Sequence, residues 1–243
     1  MIHLQSIAPP EELTEEKIKE LTEQFLRSKN PVWAQDYIKR ALLELSFGKC
    51  CYCETIVIRA GSFMEVEHFY PKSIYPSEVM DWSNLLPSCK RCNSKKSKYD
   101  TKKNPIIHPV RDFPQQHLKI YCYQLRHKTE LGKRTIQVLD LNDPERLVKE
   151  RFETGNQLLE TLDKLHGRLC NNDSSEANQL EEINALKRLL SHGTPQKPYS
   201  ATIATIILQD EKYFEIKQWL IKEDLWDDEL VNLENGLLEV MLL

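Results

Sequence analysis

Residues 50–53 read Cys-Cys-Tyr-Cys, residues 63–73 Phe-Met-Glu-Val-Glu-His-Phe-Tyr-Pro-Lys-Ser, and residues 81–96 Asp-Trp-Ser-Asn-Leu-Leu-Pro-Ser-Cys-Lys-Arg-Cys-Asn-Ser-Lys-Lys. The stretch holds two CxxC pairs, Cys50/Cys53 and Cys89/Cys92, with 35 residues between them. Two residues between paired cysteines let a tight turn aim both sulfurs at one point. Four thiolates from two such turns can then close tetrahedrally around Zn²⁺. The spacing predicts a structural zinc site on Cys50, Cys53, Cys89 and Cys92. Cys51 is a poorer alternative to Cys50, because Cys51-x-Cys53 makes a cramped turn. Cys122 and Cys170 have no partner pattern and read as buried thiols.

Polar residues lie between and just after the two pairs. Glu65, Glu67 and His68 fall in a segment that reads as a short strand running into a loop, with Phe63, Val66 and Phe69 as apolar support. Asn84 precedes Leu85 and Leu86, which with Trp82 are expected to be buried. Asn93 follows the last paired cysteine and begins a predicted helical run to Lys98. A strand, a loop and a helix held at both ends by zinc would bring His68 and Asn93 together. Glu65 has two readings, a carboxylate orienting a neighbouring ligand or a solvated strand residue. Asn is also a common turn residue, which is the alternative for Asn84.

This arrangement resembles the HNH endonuclease superfamily, whose pattern is an acidic residue and His, a middle Asn, and a final His or Asn. The matching positions are Glu67-His68, Asn84 and Asn93, followed by Lys96. Glu67 stands where the family more usually has Asp. The resemblance implies a ββα-metal fold in which His68 is the general base and Asn84 orients the loop behind it. It also implies that Glu67 and Asn93 hold one catalytic divalent metal. The chemistry of these residues agrees. An imidazole with an ordinary pKa of roughly 6.5 is available to accept a proton near neutral pH. A carboxylate and an amide oxygen form a sparse oxygen shell that suits Mg²⁺ or Mn²⁺, leaving room for water and phosphate.

Charge gives a second line. From Cys89 to Lys103 the chain carries Lys90, Arg91, Lys95, Lys96, Lys98, Lys102 and Lys103 against Asp100 alone. That is +6 in a chain of net −4, so the remainder carries −10. A basic run beside the candidate site reads as a phosphate-backbone surface, with Lys90, Arg91, Lys95, Lys96 and Lys98 nearest. Such contacts carry no sequence preference. Tyr99 is open to two readings, stacking on a base or packing in the core.

The chain has 243 residues, 40% of them apolar and only seven Gly, with long Leu, Glu and Lys-rich stretches. These predict an α+β, mostly helical protein. The expected layout is N-terminal helices and nuclease core in 1–130, the core itself in 48–104, and a helical region in 131–243 suited to partner docking. Thr14 is a predicted N-cap, with Ile18, Leu21 and Phe25 on one helix face. Asn30-Pro31 opens a second helix ending at Gly48. Strand character is expected around Leu118–Tyr123, a helix from about Gly132 to Leu139, and another opened by Asp143-Pro144. Helix breaks are expected near Asn171-Asn172, Gly193-Thr194-Pro195 and Glu223-Asp224. The tail carries Trp226, Leu230, Leu233, Leu237, Leu238 and Met241, which either pack on the core or form a docking helix. No run of eighteen apolar residues predicts a membrane span. The start, MIHLQSIAPP, lacks the charge and apolar pattern of a signal peptide. Seven cysteines without a disulfide pattern fit the reducing cytoplasm.

Taken with CCYCE, EVEHFYPKS and LNDPERLVKER, the layout of residues 1–155 is similar to the PtuB-type HNH proteins, bacterial antiphage effectors of Septu systems and certain retrons. The resemblance implies a PtuA-like partner ATPase and, in retron versions, a reverse transcriptase with its RNA–DNA hybrid. The competing reading is a non-catalytic zinc-binding adaptor linking an ATPase to nucleic acid, which needs only the cysteines and lysines. A sequence-specific restriction or homing enzyme would need a separate DNA-reading motif, and none is evident.

Overall fold

The computed structural model describes residues 1–58, 63–170 and 176–243. The chain divides into two compact units, Met1–His117 with Arg126–Leu141, and Leu118–Leu125 with Asn142–Leu243. The fold is α+β and mostly helical. Among the described residues no helix is long and apolar enough to cross a membrane.

The first unit begins with α1 (Glu15–Ser28) and α2 (Asp36–Leu45). Thr14 caps α1 as expected: its hydroxyl accepts from the Lys17 N–H, and Glu15 and Glu16 sit in the first turn, where the helix dipole favours acids. Leu21 and Phe25 are buried, while Ile18 is only partly so. The second helix starts later than Asn30-Pro31. Val32 N–H donates to Asn30 C=O and Ala34 N–H to Pro31 C=O, so Pro31 lies in a turn, and the helix begins only after Gln35. Helix α2 buries Ile38, Leu42 and Leu45 and packs on the sheet below. It ends at Leu45, ahead of Phe47 and Gly48, both with positive φ. A Cβ at Gly48 would also meet Ile58 Cδ1 at 3.0 Å, so this position suits glycine on two counts.

Strand β1 (Met64–His68) pairs antiparallel with β2 (Leu85–Cys89), from Met64 opposite Cys89 to His68 opposite Leu85. Val66, Phe69, Leu85 and Leu86 are buried. Phe63, expected to support the strand, is 80% exposed because it precedes the first paired residue. Trp82 is half-buried, its indole N–H donating to the Ile7 carbonyl. Helix α3 (Lys90–Lys96) follows β2 directly and packs across both strands. The order strand, strand, helix is the ββα arrangement.

Strands β3 (Leu118–Tyr121) and β4 (Gln124–His127) form a second two-stranded sheet, followed by α4 (Glu130–Leu139). Cys122 and Tyr123 make the tight turn between the strands with φ of 47° and 63°. Cys122 is therefore exposed, not buried, because it sits at the tip of a hairpin.

In the second unit Asp143 caps the turn at Pro144–Val148 that leads into α5 (Lys149–Cys170). Helices α6 (Glu176–Ser191), α7 (Ser200–Ile207), α8 (Glu211–Lys222) and α9 (Asp228–Val240) follow. Helix α5 packs on α6, α7 and α8, and α9 packs on α6 and α7. The expected breaks after Ser191 and Lys222 are present; the one at Asn171-Asn172 lies outside the described residues. Helix α9 buries Leu230, Leu237 and Val240, while Leu238 is about half exposed.

Candidate active site

The four cysteines chosen from spacing converge. Cys50, Cys53, Cys89 and Cys92 Sγ atoms all lie within 4.8 Å of one another. The Cys53–Cys89 separation is 3.7 Å. Tetrahedral Zn²⁺ with Zn–S near 2.3 Å requires sulfurs about 3.8 Å apart, so the sulfur set fits zinc. Each pair is built into backbone structure. Glu54, with φ +65°, closes the first turn by donating its N–H to Cys50 C=O. Cys89 is the N-cap of α3, its sulfur accepting from the Cys92 N–H. Burial would raise the Cys50 thiol, yet hydrogen bonds from the surrounding thiols outweigh it and hold it well below its ordinary range.

His68 ends β1 and is buried. Its Nε2 lies 3.1 Å from the Val79 carbonyl. A carbonyl only accepts, so Nε2 carries the proton and the lone pair of the neutral ring sits on Nδ1. Nδ1 is buried and makes no hydrogen bond. Burial first, then the positive charge of Lys72, lowers the His68 pKa to about 3 against the opposing Val79 bond. The ring is therefore neutral at pH 7.

Asn84 is fully buried and ties down the loop that follows His68. Its Oδ1 accepts from Tyr70 N–H at 2.6 Å, and its Nδ2 donates to Tyr70 C=O at 3.2 Å and Glu78 C=O at 3.0 Å. The Asn84 backbone carbonyl accepts from Phe69 N–H at 2.9 Å. The three side-chain bonds together need one acceptor and two donors, which the Asn amide supplies.

Asn93 lies on α3 and donates from Nδ2 to Glu65 Oε2 at 2.6 Å. A carboxylate fixes which way the amide points, so Glu65 orients Asn93. Glu67 is buried beneath the strand, and Oε1 sits 2.5 Å from Lys96 Nζ. Burial raises Glu67 to about 7, with Lys96 as the main opposing influence. Lys96 also donates to the His68 carbonyl at 2.9 Å. Glu67, His68 and Asn93 line one cleft of about 310 Å³ with Lys72, Ser97 and Lys98.

The five cations chosen for phosphate contact separate into two groups. Lys90 and Lys98 are exposed, and Lys98 stands at the cleft. Lys96 is buried, because its ammonium serves Glu67 and the His68 carbonyl. Arg91 binds the Leu139 and Asp140 carbonyls at 3.2 and 2.6 Å, capping the C-terminus of α4, where a cation opposes the helix dipole. Lys95 pairs with Asp140 at 2.9 Å. Tyr99 is half-buried.

Sequence reasoning left Lys72 and Trp33 out of the site. Trp33 meets the His68 ring edge-on at 4.7 Å and lies beneath Lys72 Nζ, also at 4.7 Å. Lys72 follows the histidine by four residues, a signal visible in the sequence. Trp33 is 35 residues away in a loop and gave none.

An HNH endonuclease family model matches residues 50–99. A Septu protein PtuB of Bacillus thuringiensis is 42% identical over 250 residues, covering 98% of this chain and 95% of that relative. A Septu protein PtuB of Bacillus mycoides is 27% identical over 222 residues, covering 72% and 74% respectively. Protein ea31 of Escherichia phage lambda is 37% identical over 81 residues, a third of this chain and a quarter of ea31. The match to the ββα region falls on the cleft and its sulfur frame, and the 42% identity runs through both units almost end to end; by that measure the chain belongs to the Septu PtuB family and carries an HNH endonuclease domain at residues 50–99.

Proposed function

We propose that this chain is a metal-dependent endonuclease that hydrolyses phosphodiester bonds in nucleic acid. It would act as the effector of a bacterial antiphage defence system, under the control of a PtuA-like ATPase in the cytoplasm. The observation that carries the reading is the state of His68: neutral, with Nε2–H held on the Val79 carbonyl and the Nδ1 lone pair uncommitted. It shares its cleft with two oxygen-bearing side chains, Glu67 and Asn93. A water attacking phosphorus passes its proton to Nδ1 as the new P–O bond forms and the bond to the leaving oxygen breaks. An anionic phosphodiester in the cleft raises the basicity of the ring, the direction this transfer requires.

The oxygen donors suit Mg²⁺ or Mn²⁺. With Nδ2 bound to Glu65, the Asn93 amide turns its oxygen away from that carboxylate. With Oε1 on Lys96, Glu67 has Oε2 remaining. A metal held by Asn93 and Glu67 would supply Lewis-acid stabilisation of the leaving oxygen. Asn84 fixes the loop that follows the base, and the sulfur site ties the Cys50–Cys53 turn to the end of β2 and the first turn of α3.

The test is cleavage of plasmid, single-stranded DNA and total tRNA with Mg²⁺ or Mn²⁺, with and without the partner ATPase. The isolated chain is expected to be weakly active or silent. The complex is expected to cut, and EDTA or His68→Ala to abolish cutting. No cleavage by the zinc-loaded complex on any of these substrates would favour the adaptor reading.

A further inference from the structure

The catalytic cleft holds a cation that is engaged by no acid. Lys72 lines the cleft with Glu67, His68 and Asn93 and is half-buried. Among the described residues it makes no ion pair and no hydrogen bond. The two carboxylates whose charges it feels are Glu67 and Glu65. Each is taken by another donor, Glu67 by Lys96 at 2.5 Å and Glu65 by Asn93 at 2.6 Å. A half-buried ammonium in this position is partly desolvated and has no carboxylate in direct contact, so a phosphate oxygen arriving in the cleft would meet an ammonium free to bind it.

Lys72 is nevertheless held in place. Its Nζ sits 4.7 Å from the centroid of Trp33. The quadrupole of the indole face attracts a cation without neutralising it. The same indole meets the His68 ring edge-on, its centroid 4.7 Å away. One tryptophan therefore supports both the base and the cation. Lys98, at the exposed rim, has no comparable support.

We propose that Lys72 is a catalytic residue that contacts a non-bridging oxygen of the scissile phosphodiester, with Trp33 holding its ammonium beside His68. It supplies positive charge where negative charge accumulates as phosphorus becomes five-coordinate. It takes no part in the proton transfer, and the bonds made and broken are those of the hydrolysis already described. The inference rests on the nuclease reading.

The test uses full-length protein with its partner ATPase, carrying Lys72→Met, which keeps the length of the stem and removes the charge. Lys72→Gln serves as a second neutral variant if Lys72→Met fails to retain zinc. Single-turnover cleavage is measured beside the affinity for uncut oligonucleotide in EDTA. The expected result is a rate loss of about 10²–10³-fold, the scale of one preorganised charge-stabilising donor, with affinity changed less than about tenfold. Lys72→Arg restores part of the rate. Wild-type rates in zinc-loaded neutral variants would overturn the proposal and leave the nuclease reading intact. Reductive methylation read by mass spectrometry gives a measure independent of turnover. Oligonucleotide should shield Lys72 from labelling. If the wild type cuts nothing, the nuclease reading fails, and shielding then decides Lys72: shielded, it stands as a phosphate contact; unshielded, the proposal falls.

Discussion

Lys96→Met tests the buried ion pair at the foot of the cleft. The Lys96 side chain is 0% exposed and that of Glu67 3%, with Nζ and Oε1 2.5 Å apart. At that separation the Coulomb attraction is about 7 kcal/mol for an effective dielectric of 20. Each ion gave up several kcal/mol of hydration to be there. The pair as a unit is close to balance, but removing one partner leaves the other's desolvation unanswered. The substitution also deletes the donor to the His68 carbonyl. The expected loss is about 3–5 kcal/mol. Protonation limits it, because Glu67 already stands at about 7 and rises further once Lys96 is gone. Glu67→Gln with Lys96→Met removes the stranded charge and should recover at least about 2 kcal/mol. Urea unfolding of wild type, both single variants and the double variant at pH 7 supplies the cycle. Additive single effects, with coupling below about 0.5 kcal/mol, would refute the claim that these side chains act as a buried pair.

Three more outcomes are expected. Zinc analysis should find one ion bound by Cys50, Cys53, Cys89 and Cys92; Cys92→Ser should abolish it and melt residues 50–99 first, read by hydrogen exchange. His108, lowered to about 4 by burial and then by the charge of Arg111, accepts at Nδ1 from Val110 and Arg111 N–H. Its folded pKa lies below the unfolded value of roughly 6.5, so it favours the fold above that pH. Its share, roughly 3 kcal/mol, should be lost as pH falls from 6.5 toward 4; in pH-dependent urea unfolding His108→Asn, which keeps an acceptor and cannot be protonated there, should remove that share and leave the part due to His68, which is lowered in the same sense. Asn84→Asp keeps the acceptor for Tyr70 N–H but sets a carboxylate against the Tyr70 and Glu78 carbonyls; thermal melts should register a loss of about 2–4 kcal/mol, and His68→Ala should not reproduce it.

The sulfur frame, the strand with His68 and the helix with Asn93 were legible because local rules govern them. CxxC spacing fixes where two sulfurs point, and a cysteine that also caps a helix leaves the following asparagine on its first turns. Thr14 and Asp143 were likewise legible, since a cap is a contact within three residues. Pro31 misled because a proline suits a turn as well as the first turn of a helix. The lysine run misled for another reason: Arg91 and Lys96 are adjacent to exposed lysines in sequence, yet the turn of α3 carries them inward to the end of α4 and to Glu67. The Trp33–Lys72 contact joins a loop to a residue far along the chain, and no local pattern records it.

The capping of α4 by Arg91 changes how the protein meets a polyanion. Of seven cations between Cys89 and Lys103, Arg91 and Lys95 face Asp140, Lys96 faces Glu67, and Lys102 pairs with Glu78. Among the described residues, Lys90, Lys98 and Lys103 of that run make no ion pair. With Lys72 in the cleft, four released counterions would give a log–log slope of affinity against salt near −3.6. Long-range attraction of that size leaves encounters brief at physiological ionic strength. On the function proposed above, residence on nucleic acid would then depend on contacts made elsewhere in an assembly, and cutting would be rationed by delivery.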